Sequence, residues 1–219
     1  MRFLDREEAG IYLARALAPH AAPDGLVLAI PRGGVPVGWQ VARLLALPFE
    51  VLVACKVRAP GAPDMGLGAV AEGGARLVNL GMAGVLGVAT EALSDAIRRA
   101  EGEVARRVWL YRAGRALPVL AGRTVILVDD LIASGAKMRV AVEAVHGRAV
   151  GKLVVAAPVA AAPIADLLAG RAAAVVALVR PATASGVEQW YQEARRVTDA
   201  EVVDILARPR FAPEVGAAV

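Results

Sequence analysis

The stretch that decides the fold is Val125-Ile-Leu-Val-Asp-Asp-Leu-Ile-Ala-Ser-Gly-Ala-Lys-Met138. Its first four residues are apolar, which is typical of a short buried strand, and they deliver Asp129 and Asp130 at the carboxyl end of that strand. The small residues that follow allow backbone N–H groups to close around an anion where a helix begins. Because ligands of open α/β sheets bind at the carboxyl ends of the strands, the stretch predicts a ligand site.

Apolar runs and helical patterns alternate on both sides of this stretch. The runs that predict strands are residues 26–30, 49–54, 125–128, 153–157 and 174–178. The patterns that predict helices are residues 35–45, 90–112, 135–145 and 164–168, with one further helix after a cap at Asp5 and another after a cap at Thr198. This alternation predicts an α/β fold with a doubly wound, mainly parallel sheet and flanking helices.

The middle of the chain departs from this alternation. Residues 57–68 are rich in Gly and Pro and predict a loop, while residues 69–71 and 75–79 flank Gly73 and Gly74 as the strands of a hairpin. We interpret residues 57–115, which include the long helix, as an insertion that forms a flexible lobe. The insertion lies within a single domain that spans residues 1–219, since no linker separates two cores.

Composition limits the classes of function. The longest uncharged stretch in the C-terminal half, residues 153–165, contains two prolines and is too short to span a bilayer, so we expect no membrane segment. The net charge of +4 comes from dispersed arginines, which suits phosphate ligands and predicts no nucleic-acid groove. The charged first residues favour a cytoplasmic location, and the single cysteine, Cys55, is expected in the core.

A second loop has the features of an anion site. Arg32, Gly33 and Gly34 follow the first predicted strand and precede a helix, and Arg32 can bind phosphate oxygens through its guanidinium fork. Two anion sites on parallel strands suit a substrate that carries phosphate at both ends. The alternative is an ordinary tight turn between a strand and a helix.

Charges around the first loop also need partners. Lys137 and Arg139 lie in the first turn of the predicted helix, where the helix dipole disfavours each cation by up to about 1 kcal/mol. A bound anion would reverse that effect, whereas the alternative is that both side chains point to solvent. Asp129 and Asp130 would repel each other at a buried site unless sugar hydroxyls or a hydrated divalent cation lay against them.

The stretch 125–138 resembles the phosphoribosyl-pyrophosphate (PRPP) motif of type I phosphoribosyltransferases (PRTases), and this resemblance implies the type I PRTase fold. It implies that Asp129 and Asp130 contact the ribose hydroxyls and take part in catalysis. The residues that it assigns to the 5-phosphate are Ala133, Ser134, Gly135, Ala136 and Lys137. Two positions depart from the family. Lys137 replaces a hydroxyl residue, and Ala133 replaces an aspartate of hypoxanthine-guanine members, which argues against that subgroup.

The resemblance extends to other segments. Arg32, Gly33 and Gly34 resemble the family's pyrophosphate loop, and Lys56 stands where the family often places a cation near the pyrophosphate, which makes it a candidate catalytic residue. Residues 56–64, 68–73 and 189–191 resemble a subgroup of uncharacterised PRTase-like proteins. The family implies PRPP and a nitrogenous base or nucleotide as ligands, and a homodimer. It also implies Mg²⁺, held through the substrate and the acid pair rather than at a direct protein site.

The resemblance implies an enzyme that transfers the ribose 5-phosphate of PRPP to a nitrogenous base and releases pyrophosphate. Two alternatives stay open, a non-catalytic protein that binds PRPP or a nucleotide, and a hydrolase that acts on a ribose phosphate. The acceptor base is left open.

Several charged and aromatic residues have two interpretations. Arg58, Asp64 and Glu72 are equally well explained as solvated loop charges or as catalytic groups. Trp190 and Tyr191 are expected to pack rather than to stack on a base. Residues 180–187 are the expected place for contacts with the base, because they follow the last strand of the sheet.

Overall fold

The computed structural model describes residues 1–209, without the side chain of Pro63, as a mixed succession of helices and strands. The elements are α1 (Arg6–Leu17), β1 (Leu26–Ala29), α2 (Gly34–Leu45), β2 (Phe49–Val51), β3 (Ala54–Ala59), β4 (Ala62–Ala71), β5 (Arg76–Val78), α3 (Leu80–Val85), α4 (Thr90–Arg112), β6 (Thr124–Val128), β7 (Leu131–Ile132), α5 (Ala136–His146), β8 (Lys152–Ala160), α6 (Ala162–Ala169), β9 (Ala174–Val179) and α7 (Asp199–Leu206). The predicted long helix coincides with α4.

The central sheet of the described chain has six strands, all parallel. β2, β1, β6 and β8 lie side by side in that order, and β7 and β9 both pair with β8. From β1 the chain crosses to β2 on one side, and from β6 it crosses to β8 on the other. The loops after β1 and β6 therefore open next to each other, at the point where the winding reverses. The predicted doubly wound, mainly parallel α/β fold is confirmed.

Side chains of β1 and β6 alternate between two hydrophobic cores, one on each face of the sheet. Residues in the core with α1, α2 and α4 are Val27, Ile126 and Val128. Residues in the core with α5 and α6 are Leu26, Leu28, Val125 and Leu127. Every residue of β6 is buried and uncharged, and the first charged residues, Asp129 and Asp130, follow directly after this strand.

The segment 57–68 is a β-hairpin, so its prediction as a loop was wrong. β3 and β4 pair antiparallel from Ala54 opposite Ala71 to Ala59 opposite Ala62, and the turn between them is Pro60-Gly61. Pro presets φ at the first turn position and Gly supplies the positive φ, here 75°, at the second. Pro60 and Gly61 thus mark one tight turn, whereas Pro63, Gly66 and Gly68 lie within β4. The predicted hairpin around Gly73 and Gly74 is confirmed as β4 and β5.

A buried ion pair, Glu72 with Arg112, corrects two further predictions. The strand predicted over residues 49–54 ends at Val51, because the Val53 N–H donates to the Glu72 carboxylate (2.9 Å). The same carboxylate accepts from the Arg112 guanidinium, which also donates to the Val51 carbonyl (3.0 Å). Glu72 is therefore not a solvated loop charge. Its carboxylate connects Arg112, at the end of α4, to the backbone just before β3.

Local predictions about caps and burial are confirmed. The Asp5 carboxylate accepts the Glu8 N–H (2.8 Å) at the start of α1, and Thr198 forms a capping box with Glu201 at α7. Cys55 is buried in the core. Within residues 1–209, no helix has the length and apolar character needed to cross a membrane.

Candidate functional site

The acid pair lies where β6 ends, at the centre of the carboxyl edge of the sheet. Asp129 is only 2% exposed and Asp130 is 7% exposed. The Asp129 Oδ1 atom accepts the backbone N–H of Asp130 (3.0 Å), which turns the chain away from the strand. Two carboxylates are thus held side by side with little access to water, an arrangement that requires compensating positive charge.

Two cations of the chain supply that charge. Lys137 Nζ lies 2.8 Å from Asp129 Oδ2, and Arg6 Nε lies 2.7 Å from Asp130 Oδ2. Arg6 also donates to the Arg195 carbonyl (2.9 Å). Lys137 therefore does not point to solvent, as one sequence interpretation had it. Each carboxylate of the pair thus has its own cationic partner.

Burial and charge shift the pKa values of the Asp129–Lys137 pair. Burial, assisted by the neighbouring Asp130 charge, raises the pKa of Asp129 to about 7 although Lys137 opposes the shift. Burial alone would lower the pKa of Lys137, but the carboxylates of Asp129 and Asp130 raise it above its ordinary value. The protonation of Asp129 is consequently sensitive to any ligand that takes Lys137 away from it.

The loop after β1 packs directly against the acid pair. A Cβ atom on Gly33 would overlap the Asp130 carboxylate, and one on Gly34 would lie 2.8 Å from the Val128 carbonyl oxygen. Only glycine fits at these two positions. The peptide bond between Pro31 and Arg32 is cis. The predicted pyrophosphate loop is therefore in contact with the acid pair at the end of β6.

Arg32, the charged residue of that loop, is oriented by the start of α7. Its Nη1 atom lies 3.7 Å from Asp199 Oδ1, at a position that is partly open to solvent. The Asp199 carboxylate also accepts from Arg106 (2.8 Å) and from the Tyr111 hydroxyl (2.6 Å). Asp199 thus connects the predicted pyrophosphate loop to the long helix α4, a link that the sequence did not reveal.

A pocket of 230 Å³ brings together most of the predicted site residues. Its lining consists of Lys56, Asp129, Asp130, Leu131, Ile132, Ala133, Ser134, Gly135, Ala136, Lys137, Met138, Gly186 and Val187. Gly186 and Val187 belong to the segment where we expected base contacts. Burial, with the nearby Lys137 and Arg58 charges, lowers the pKa of Lys56. The pocket therefore joins the acid pair, the phosphate loop and the predicted cation.

Tyr191 packs behind the acid pair and contacts its backbone, and it does not line the pocket. It is fully buried, its hydroxyl donates to the Asp130 carbonyl (2.7 Å), and its ring packs against Phe3 at 5.8 Å between centroids. The Arg6 guanidinium lies over the same ring, 5.3 Å from its centroid. The prediction that Tyr191 packs is confirmed.

Arg6 is a site residue that the sequence analysis missed, although a signal existed. It lies on the same helical stripe as the buried residues Ala9, Leu13 and Leu17. A cation on an apolar stripe needs a buried partner, but the sequence does not indicate which acid supplies it, because Asp130 is 124 residues away.

The acid pair does not fit direct coordination of Mg²⁺ in this arrangement. No group of three or more His, Cys, Asp or Glu side chains within residues 1–209 could hold a metal ion. Lys137 and Arg6 already occupy the Oδ2 atoms of the two aspartates. Carboxylates that are neutralised in this way have little remaining charge to attract a divalent cation.

A doubly wound parallel sheet, with a glycine loop packed against an acid pair at its switch point, defines an α/β protein with a candidate ligand site at the carboxyl edge of the sheet. The family model of the phosphoribosyl transferase domain matches residues 20–179. The chain belongs to this family, and the resemblance predicted from residues 125–138 is confirmed.

Known proteins similar to this chain support the same family. The TT1426 protein from Thermus thermophilus, known from a crystal structure, is 40% identical in sequence to this chain. The match covers 94% of this chain and 98% of the TT1426 chain, and the two structures superimpose with a TM-score of 0.76. Two Mycobacterium tuberculosis proteins, MT0597 and Rv0571c, carry provisional names as phosphoribosyl transferases and are each 38% identical over 208 residues. That match covers 94% of this chain but 46% of each relative, so the chain spans about half their length.

Proposed function

We propose that this domain transfers the ribose 5-phosphate of PRPP to a nitrogenous acceptor. The acceptor nitrogen forms a bond to C1 of the ribose, the bond from C1 to the pyrophosphate oxygen breaks, and the acceptor's proton passes to solvent. The observation that carries the proposal is the contact of Gly33 with the Asp130 carboxylate, since it places the predicted pyrophosphate loop against the acid pair, which stands just before the predicted phosphate loop in the chain. A substrate with phosphate on both C1 and C5 of its ribose fits two such loops.

The phosphate loop supports the 5-phosphate end of this proposal. Gly135 has φ of 72°, and a Cβ atom there would overlap Ile164, so the tight turn before α5 requires glycine. Residues 133–137 place backbone N–H groups at the start of an 11-residue helix, where the dipole favours an anion. We assign the 5-phosphate to this loop.

Asp129 and Asp130 are assigned to the ribose. Their carboxylates can accept hydrogen bonds from the ribose hydroxyls and stabilise the positive charge that develops on the ring as pyrophosphate leaves. The ion pairs to Lys137 and Arg6 use Oδ2 in both aspartates, and Oδ1 of Asp129 accepts the Asp130 N–H. Ribose binding to Asp129 therefore competes with Lys137.

Arg32 and Lys56 are assigned to the departing pyrophosphate. Arg32 is partly exposed beside the glycine loop, and Lys56 reaches the pocket of the acid pair. Their charges would stabilise the negative charge that forms on the leaving group. Mg²⁺ would be held through the pyrophosphate of the substrate, because the carboxylates of Asp129 and Asp130 are already paired.

The test is calorimetric titration with PRPP, with and without Mg²⁺, followed by measurement of pyrophosphate release in the presence of a panel of nitrogenous bases. Asp129→Asn combined with Asp130→Asn should abolish PRPP binding. Asp95→Asn combined with Asp204→Asn removes the same charge from α4 and α7 and should leave binding unchanged. Thermal melts of both variants establish that they fold. Wild-type affinity in the Asp129 and Asp130 double variant would contradict the assignment.

The ion pairs at Asp129 and Asp130 favour a second candidate function, binding of PRPP or a nucleotide without turnover. Carboxylates that are neutralised by Lys137 and Arg6 stabilise a cationic sugar less than free ones do. Binding of PRPP with no pyrophosphate release for any base would support this candidate. Release of phosphate or pyrophosphate without an acceptor would instead indicate the ribose-phosphate hydrolase. A cytoplasmic location and a homodimer stay predictions from the sequence.

A further inference from the structure

A second and larger cavity adjoins the pocket of the acid pair. It has a volume of 620 Å³ and lies between the β3–β4–β5 hairpins and the start of α5. Its lining consists of Lys56, Asp64, Gly66, Gly68, Leu77, Val78, Asn79, Leu80, Ser134, Ala136 and Arg139. Lys56, Ser134 and Ala136 line both cavities, so the larger one begins where the phosphate loop ends.

Two cations of the described chain face this cavity without an acidic partner. Among residues 1–209, neither Arg139 nor Lys56 forms an ion pair or a side-chain hydrogen bond, in contrast to Lys137, which is held by Asp129. Arg139 lies in the first turn of α5, where the helix dipole opposes a positive charge. The one carboxylate among the lining residues is that of the exposed Asp64. The cavity is therefore positively charged overall and suits an anion.

The two cavities differ in the size of ligand that they can hold. Pockets that hold small molecules usually have volumes of about 300–1,000 Å³. The pocket of the acid pair, at 230 Å³, is therefore small for a whole nucleotide. The adjoining cavity, at 620 Å³, lies within the usual range. A phosphate on the loop at Ser134 has open space on the side of Arg139. A group attached to that phosphate would enter the larger cavity.

We propose that this cavity is a subsite for a second phosphate, so that the domain binds nucleoside 5′-diphosphates more tightly than nucleoside 5′-monophosphates. The inner phosphate lies on the loop at residues 133–137, and the outer phosphate lies between Arg139 and Lys56. The proposal rests on the function proposed above, which places the 5-phosphate on this loop. Since both ligands use that loop, a nucleoside diphosphate competes with PRPP and inhibits the transfer reaction.

Titration calorimetry with AMP and ADP, GMP and GDP, and UMP and UDP tests the proposal, because each pair differs only by the outer phosphate. Wild-type protein should bind the diphosphate of each pair about tenfold more tightly or better, the effect of charge-assisted hydrogen bonds to one phosphate. Arg139→Gln should remove this preference and leave monophosphate affinity unchanged. Arg98→Gln, which removes an equal charge from an exposed position on α4, should retain the preference.

Three outcomes would overturn the proposal. Equal affinity for both members of every pair would show that the outer phosphate has no subsite. Equal weakening of mono- and diphosphates by Arg139→Gln would assign Arg139 to the inner phosphate instead. Loss of the preference in Arg98→Gln would mean that it reflects net charge alone. If neither PRPP nor any nucleotide binds, the proposed function fails as well, whereas PRPP binding without a diphosphate preference overturns this proposal only.

Discussion

Lys137 Nζ lies 2.8 Å from Asp129 Oδ2, so the loop assigned to the 5-phosphate places its own cation on the carboxylate assigned to the ribose. The resemblance implies that members of the family usually carry a hydroxyl residue at the position of Lys137. A hydroxyl can contact a phosphate but cannot neutralise a buried carboxylate. The substitution therefore couples the two halves of the site, because a ligand that attracts Lys137 also changes the charge around Asp129.

Lys137→Met should destabilise the folded domain by about 2 kcal/mol. Removing one partner of a fully buried ion pair costs about 3–5 kcal/mol. The expected loss is smaller here because the Lys137 side chain is 23% exposed and because Asp129 can take up a proton. Adding Asp129→Asn to Lys137→Met should recover part of the loss, since no unpaired charge is left. Urea unfolding measures both values. Lys152→Met, at an exposed position, is the matched control, and equal stability of Lys137→Met and this control would show that the ion pair contributes nothing.

The carboxyl group of Asp129 should titrate near neutral pH, because burial raises its pKa to about 7 from the ordinary value of 3.8. Between about pH 4 and pH 7, the unfolded chain has lost this proton while the folded domain keeps it. The contribution of Asp129 to folding stability therefore falls as the pH rises through this range. Carbon NMR of protein labelled at the aspartate carboxyls should show one carboxyl titrating near pH 7. That signal should be missing in Asp129→Asn. If every aspartate carboxyl titrates below pH 5, the assigned shift is wrong.

The fold was predictable because its determinants are local. Apolar runs and helical periodicity identify the strands and helices, and the stretch 125–138 contains a strand, an acid pair and a phosphate loop in one continuous segment. The Gly and Pro content of residues 57–68 indicated a loop, whereas the alternation of polar and apolar residues at the start of this segment indicated a strand. Lys56 and Arg58 are exposed and alternate with buried Cys55, Val57 and Ala59, which is the pattern of a strand.

The electrostatic partners of the site could not be predicted in the same way. Arg6 and Asp130 are 124 residues apart, and Arg32 meets Asp199 only because α7 packs near the loop after β1. No local pattern specifies which acid a distant cation will contact. The sequence thus identified the groups that can bind a ligand, and the structure was needed to show that two of those groups are already paired.

Gly33→Ala should disrupt the site even though it adds only one methyl group. The added Cβ overlaps the Asp130 carboxylate, so the carboxylate must move and its ion pair with Arg6 must break. We expect a loss of about 1–3 kcal/mol in stability, as for other overpacked sites, together with weaker PRPP binding. Gly102→Ala is the control. Nothing lies near Gly102 in α4, so alanine there should stabilise the helix by about 0.5–1 kcal/mol. Unchanged PRPP affinity in Gly33→Ala would contradict the assignment of the Asp130 carboxylate to the ribose.

Arg112→Met should lower the stability of the folded domain without a direct effect on ligand binding. Glu72 would lose the guanidinium that neutralises it in the core, and the expected cost is about 3–5 kcal/mol in urea unfolding. Combining Arg112→Met with Glu72→Leu removes both charges and should restore much of that stability, although the Val53 N–H then loses its acceptor. PRPP affinity of the folded double variant should equal that of the wild type, because the pair lies away from the residues that line the pocket. A double variant that is stable but no longer binds PRPP would return Glu72 to the candidates for a functional role.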